Sequence, residues 1–423
     1  MIGRFKNLGK DELVRGSFIL LAVISIFNIL NYIFQMSMAR LLGPADYGIL
    51  AVLMSIVYIF GIPSEAIQTV IARYTSKFGI KKENGKIKDL MYRSLKKLFL
   101  FSVIAFIVFT ILSISLSKML KIDFWLLALT GLFIFYLFSV PVIRGILQGK
   151  KRFLGLGLNM VVESFGKVVF SILLVLLGWK VYGAITGLVI GGVAAFILAF
   201  MSVKDIIFTK IKRNQDLSGA YRYNLPVLIG ITSIVLIYSL DVILARIFFN
   251  PELAGKYALV SLIGKVILFS SFAISKAMFP IASENFERGR KTSSILKKSI
   301  VLILLISAVM LFLCFFIPEN VIRVISLGSS QYVSASDILF FVSLAFSFTA
   351  LTNVIINYSL SINRIRRSSL TLLVFVIMEV VLLSIFNSNL REFAISLLVV
   401  NFLMFIYSLW LIKNEIFNNN SCT

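Results

Sequence analysis

Histidine is absent from this 423-residue chain, and cysteine occurs only twice, at Cys314 and Cys422. Imidazole acid–base chemistry and the commonest metal ligand are therefore excluded. One cysteine lies inside an apolar run and the other next to the C-terminal end, so neither a disulfide framework nor a thiolate metal site is indicated. Charge is also scarce: Asp, Glu, Lys and Arg together make up 14%, and the 19 acids are outnumbered by 42 bases. No ATP-binding motif and no cleavable signal pattern occur, and no cofactor or metal is expected.

What remains is apolar. Hydrophobic residues reach 59%, with 39 Phe, and the mean hydropathy is +0.98, too high for an ordinary soluble surface. Runs of about 20 such residues match the length a helix needs to cross the hydrocarbon core. The alternating pattern of a membrane barrel is missing. The sequence thus predicts an all-α integral membrane protein with twelve spans, at about 16–36, 47–70, 98–117, 124–143, 157–178, 181–203, 225–249, 257–278, 299–318, 336–361, 368–386 and 393–412.

The net charge of +23 could suggest nucleic acid, but the bases sit in short loops between apolar runs, so no nucleic-acid partner is expected. Lys and Arg favour the even-numbered loops and the N-terminal segment by roughly four to one, which predicts cytoplasmic termini in a plasma (inner) membrane. The odd loops are too short to hold an external domain.

An internal repeat aligns Ala39-Arg40 with Ala245-Arg246, Pro44 with Pro251 and Gly48 with Gly255. Two six-span halves of like orientation imply a pseudo-two-fold axis along the membrane normal and a central cavity between lobes. The expected division is an N-terminal lobe 1–204, a polar inter-lobe linker 205–224 and a C-terminal lobe 225–423, acting as one monomeric unit.

The segments MARLLGPADYGILAV and AIQTVIARYTSKF around the second span, ILQGKKRF after the fourth, and SLDVILARIFFNPELAGKYALVSLI at the seventh carry a family likeness. They resemble the polysaccharide transporter family, the O-antigen-type lipid-linked oligosaccharide flippases, which share a superfamily with multidrug exporters and lipid II flippases. The resemblance implies a two-lobed helical fold and an inward-open to outward-open cycle. It also implies a cationic cavity for an undecaprenyl-pyrophosphate-linked oligosaccharide, with membrane lipid around the tail.

Charges inside apolar runs are costly, so they mark pairs or paths. Asp241 in the seventh span is either a proton or sodium acceptor or half of an ion pair with Arg246 or a neighbouring lysine. Lys265 and Lys276 lie three helical turns apart on the eighth span and together suit a pyrophosphate, although Lys276 could equally snorkel to the interface. Glu163 and Lys167 are spaced to form a salt bridge along the fifth span, with Glu163 also a coupling candidate. Glu65 follows Pro63, whose kink could open a polar pocket for cavity or coupling use. Glu379 either pairs across helices or marks a lateral groove. Arg144 at the cytoplasmic mouth suits phosphate or simply marks topology, and Arg40 and Arg246 sit at matching external positions.

A flippase is the leading reading and an ion-coupled multidrug exporter the alternative. An enzyme such as a membrane glycosyltransferase is disfavoured, because the odd loops carry mostly isolated acids such as Asp46, Asp123 and Glu252. Energy must then come from a proton or sodium gradient, from use of the product, or from membrane potential, which is worth about 2.3 kcal/mol per charge per 100 mV.

Overall fold

The computed structural model describes residues 2–81, 83–212, 225–290, 292–362 and 368–417, and among these the chain is helical without a strand. Helices are the natural solution, because lipid offers backbone N–H and C=O groups no partner and a helix satisfies them within one segment. The order is α1 (Ile2–Phe60), α2 (Ile62–Ile80), α3 (Asn84–Leu120), α4 (Phe124–Gly131), α5 (Phe133–Gly149), α6 (Phe153–Leu174), α7 (Lys180–Ser202) and the short α8 (Lys204–Ile207). It continues with α9 (Leu225–Phe248), α10 (Pro251–Glu287), α11 (Ser293–Phe316), α12 (Pro318–Ile325), α13 (Ser336–Ser361), α14 (Ser368–Ile385) and α15 (Leu390–Phe417).

At 59 residues α1 is too long for one crossing, and it is interrupted at Gly43 (φ 71°, ψ 172°), immediately before Pro44. Only glycine enters that φ region without steric cost, and proline starts the next helical stretch well. A π-helical turn, Val175–Trp179 with Gly178 at φ 91°, separates α6 from α7 in the same way. Among the described residues nine helical stretches are long and apolar enough to span, but this count takes Val23–Ile80 and Phe153–Ser202 as single stretches and leaves out the shorter Leu372–Ile385. Dividing the two at their glycine breaks and including α14 recovers the twelve expected crossings.

The chain forms two compact units. The first comprises Met1–Leu42 and Phe60–Arg222; the second comprises Gly43–Ile59 and Tyr223–Thr423. The second half of α1 therefore packs with the C-terminal unit, an exchange that a lobe boundary near 204 does not anticipate. Most of the expected linker, 213–224, lies outside the described residues, as do Arg364, Arg366, Arg367 and Cys422.

In the first unit, Ile71, Ile87, Leu90, Ile143, Ile146, Val203 and Ile206 make an apolar core, while α3 turns Phe99, Ile104, Ile107 and Ile111 outward as a lipid-facing stripe. Helix α6 packs closely on α7 through small residues that let the backbones meet. A Cβ on Gly187 would stand 2.3 Å from Ser171, and one on Gly191 would stand 2.7 Å from the Glu163 carbonyl oxygen.

In the second unit, α10 and α13 are the most enclosed helices. The repeat-matched glycines pack on each other: a Cβ on Gly48 would lie 2.9 Å from the Gly255 Cα, and one on Gly255 only 1.7 Å from the Pro44 carbonyl oxygen. Tyr47 and Tyr332 close the same region edge to face at 6.2 Å. Overpacking usually costs about 1–3 kcal/mol, and here the obstacle is backbone. Gly255→Ala is accordingly expected to fall at or beyond the upper end of that range, read as a lowered thermal midpoint of the purified protein; an unchanged midpoint would contradict this packing.

Candidate functional site

Embedded charges gather into two clusters, one in each unit. In the first unit, α6 presents Asn159, Glu163 and Lys167 at intervals of four residues, a ladder on one helix face. Arg144 of α5 reaches that ladder. Its Nε donates to Asn159 Oδ1 at 2.7 Å and its Nη2 to Glu163 Oε2 at 2.6 Å, a charge-assisted fork. Asn159 passes the network on by donating to the Ala195 carbonyl of α7. Gly191, one turn earlier on α7, lets that helix lie close enough.

The expected Glu163–Lys167 salt bridge is not formed. The Arg144 guanidinium takes the carboxylate across the helix pair, and Lys167 turns instead to Asn31 of α1, with its Nζ 4.6 Å from the Phe34 ring centre. An inter-helix fork offers two directed hydrogen bonds where the in-helix pair offers one flexible contact, so the cross-helix partner prevails.

In the second unit, α10 carries a matching ladder, Tyr257, Ser261 and Lys265, facing Asp241 of α9. Lys265 Nζ stands 3.0 Å from Asp241 Oδ1, while Oδ2 accepts from the Ser261 hydroxyl and, at 3.4 Å, from Tyr257. The ammonium also lies 5.4 Å from the Phe346 ring of α13. Asp241 is thus paired with a lysine of the neighbouring helix, as one of its two sequence readings has it. Glu379 of α14 is fully buried and acts electrostatically on both Asp241 and Lys265, yet neither carboxyl oxygen has a hydrogen-bond partner among the described residues. Further along α10 and α13, Asn353 donates to Ser271 at 2.9 Å and to Ser275 at 3.4 Å, and Asn357 donates to Asn353 Oδ1 at 2.9 Å.

The remaining predicted residues do not join these clusters. Lys276 is exposed whereas Lys265 is buried, and eleven residues of helix separate them by about 16 Å. That is too far for one pyrophosphate to bridge. Arg246 is buried with Asp46 acting on it, but Arg40, its match in the repeat, is exposed, so the two do not share an environment. Glu65 is exposed in the first turn of α2, where Pro63 opens the helix rather than kinking it and an acid complements the helix dipole.

Outside the spans, Asp205 of α8 accepts from both Arg152 nitrogens at 2.7 Å and from Lys150 at 3.2 Å. The Arg152 hydrogen bonds hold its carboxyl down to about 2. A depressed carboxylate stabilises the fold above its ordinary titration range near 4 and loses that contribution as pH falls through 2. Asp205 is 40% exposed, so solvent screening keeps the effect below about 1 kcal/mol. Asp205→Asn is expected to lower the thermal midpoint slightly at neutral pH and to match the wild type at pH near 2, read by thermal unfolding across pH.

Residues 13–286, well over half of the chain, match the family described as "Polysaccharide biosynthesis protein". The chain belongs to the polysaccharide biosynthesis protein family. Among curated relatives, this family member is 28% identical over 308 residues to the uncharacterized membrane protein MJ1375 of Methanocaldococcus jannaschii, covering 68% of this chain and 71% of that one. Its fold matches an inward-facing multidrug resistance MATE transporter of the MOP superfamily with a TM-score of 0.81 at 14% identity, over 96% of this chain and all of the other. The lipid II flippase MurJ matches with a TM-score of 0.70 at 14% identity, over 94% and 87% of the two chains. A MOP superfamily transporter from Pyrococcus furiosus, described as having a binding pocket of reversed polarity, matches at 0.58 and 16%, over 95% and 94%. This polysaccharide biosynthesis family member is therefore a multi-pass membrane protein with the MOP superfamily fold.

Sequence reading singled out the ions of both clusters but overlooked their polar companions. Asn159 and Ser261 stand four residues from Glu163 and Lys265, and Tyr257 four residues before Ser261, a spacing that could have revealed both ladders. Asn31 offered no such signal, because its partner lies 136 residues away.

Proposed function

We propose that this protein moves a polyprenyl-pyrophosphate-linked oligosaccharide from the cytoplasmic to the outer leaflet by alternating access. Membership of the polysaccharide biosynthesis family is the observation that carries this reading. The chemistry of the embedded clusters supports it. An anionic head group needs cations in a low-dielectric interior, and Arg144 and Lys265 supply them. Each is held by a carboxylate, Glu163 or Asp241, so an arriving phosphate competes for a preformed cation. An inside-negative potential favours outward passage of the anion.

Disruption of the chromosomal copy in its host is expected to remove the corresponding surface glycan, and a plasmid copy to restore it. Lys265→Ala on the plasmid should fail to restore it at normal protein abundance. Restoration by that variant would refute the assignment of Lys265.

The alternative is an ion-coupled exporter of organic cations, favoured by the buried acid Glu379, whose oxygens have no hydrogen-bond partner among the described residues. Under that reading, disruption leaves surface glycan intact and sensitises cells to cationic dyes.

A further inference from the structure

The chain that leaves α7 toward the second unit does not begin as a loose tether. Its first residues are built onto the first unit. Val203 and Ile206 sink into the core with Ile87 and Leu90. The Lys88 ammonium of α3 caps the C-terminal end of α8, donating to the Ile207 carbonyl at 2.5 Å and to the Thr209 carbonyl at 2.8 Å. From there the chain runs past the start of α3, where the Lys212 N–H donates to the Gly85 carbonyl at 3.2 Å. A Cβ on Gly85 would stand 2.6 Å from the Lys210 carbonyl oxygen, so only glycine leaves room for the segment.

This docking leaves apolar and cationic groups outside together. Phe208 is 86% exposed and Ile211 55%, and Lys204, Lys210 and Lys212 are exposed around them. Tyr92 of α3 is exposed beside them, its ring 5.8 Å from the same Lys88 ammonium that holds the two carbonyls. The neighbouring acids are engaged by other bases: Asp205 by Arg152 and Lys150, Glu83 by Lys86, and Asp89 by Arg93. The three exposed lysines therefore remain as surplus positive charge.

The segment also lies at a definite depth. On α7, Val193, Ile197 and Met201 face outward at intervals of four residues, a lipid-facing stripe that runs to the end of the helix at Ser202. On α3 the outward stripe starts at Phe99, two turns beyond Tyr92. Phe208 and Ile211 thus continue lipid-facing surface at the level where aromatic rings and snorkelling lysines belong.

We propose that residues 204–212, with Tyr92, form an interfacial anchor for anionic phospholipid headgroups in the leaflet that the Lys and Arg bias assigns to the cytoplasmic side. Phe208 and Ile211 enter the boundary between headgroups and acyl chains, and Lys204, Lys210 and Lys212 take the lipid phosphates. Continuity with the lipid-facing stripes and the surplus of lysine select a lipid surface as the occupant. The anchor is independent of which substrate the protein carries.

Spin labelling of the full-length protein tests this. In a Cys314→Ala, Cys422→Ala background, Ile211→Cys carries a nitroxide whose collisions with oxygen, enriched in the bilayer, and with a water-soluble nickel complex report its depth. The protein is reconstituted into phosphatidylcholine vesicles with or without phosphatidylglycerol, free of polyprenyl lipid. The ratio of oxygen to nickel collisions is expected to be several-fold higher with phosphatidylglycerol than without. The combined Lys204→Gln, Lys210→Gln and Lys212→Gln variant should lose that difference, as should 1 M salt, where the Debye length is about 3 Å. The lipid comparison stands on the labelled chain alone, so it decides the matter even if the triple variant fails to fold. A label open to the nickel complex in both vesicles, as expected if a soluble partner or nothing covers this face, would overturn the proposal. Equal immersion in both would overturn it too, by showing an apolar anchor without headgroup recognition.

Discussion

Asp241→Ala is expected to abolish glycan export and to lower stability strongly. Breaking a buried ion pair on one side typically costs about 3–5 kcal/mol, because the partner is left charged and unpaired. Here the abandoned partner is Lys265, and among the described residues the other carboxyl acting on it is Glu379. Re-pairing with Glu379 softens the loss toward the lower end of that range. The double variant Asp241→Leu with Lys265→Met removes both ions, and such replacements are often neutral for stability. It should therefore regain most of the lost thermal midpoint while remaining inactive in export. The pair of measurements, unfolding midpoint and surface glycan, separates a stabilising role from a transport role. A double variant that exports normally would show that this pair only holds helices together.

The second large effect belongs to Arg144→Ala. Its guanidinium joins α5 to Asn159 and Glu163 of α6, and Asn159 extends the link to α7. Removal leaves Glu163 without its cross-helix donor, with an expected loss of about 3–5 kcal/mol. Lys167, one turn along α6, can swing from Asn31 toward Glu163 and recover part of it. Arg144→Lys should be a poor substitute, since an ammonium cannot reproduce the planar fork to Asn159 and Glu163 together. Thermal unfolding of the three proteins should rank wild type above lysine above alanine. Equal midpoints for lysine and arginine would argue against the fork.

Much of the architecture was legible in the sequence because lipid imposes a simple rule: apolar stretches of spanning length become helices. The twelve crossings, the breaks near Pro44 and Gly178, and the Pro44, Gly48 and Gly255 register all follow from composition, periodicity and repeat. The register proved to mark mutual packing, since Gly48 and Gly255 lie back to back. Asp241 and Lys265 were visible as embedded ions, but their pairing was not. Partner choice depends on rotation of helices distant in sequence, which no local spacing reveals. Glu163 illustrates the point, preferring Arg144 on another helix to Lys167 one turn away. Lys276 shows the opposite failure: a shared helix face suggested joint action, whereas rise along the axis and exposure keep it apart from Lys265. Glu379 was legible as an embedded acid that either pairs across helices or marks a lateral groove, and neither of its carboxyl oxygens has a hydrogen-bond partner among the described residues.

The central claim is movement of a lipid-linked oligosaccharide across the bilayer. Purified protein reconstituted into vesicles with a polyprenyl-pyrophosphate-linked oligosaccharide tests it most directly, by following how much of the glycan is open to an externally added glycosidase. Wild-type vesicles are expected to expose glycan from the inner leaflet that protein-free vesicles and the Asp241→Leu, Lys265→Met protein keep protected. Equal protection in all three, with uptake of a cationic dye by the wild type alone, would contradict the account.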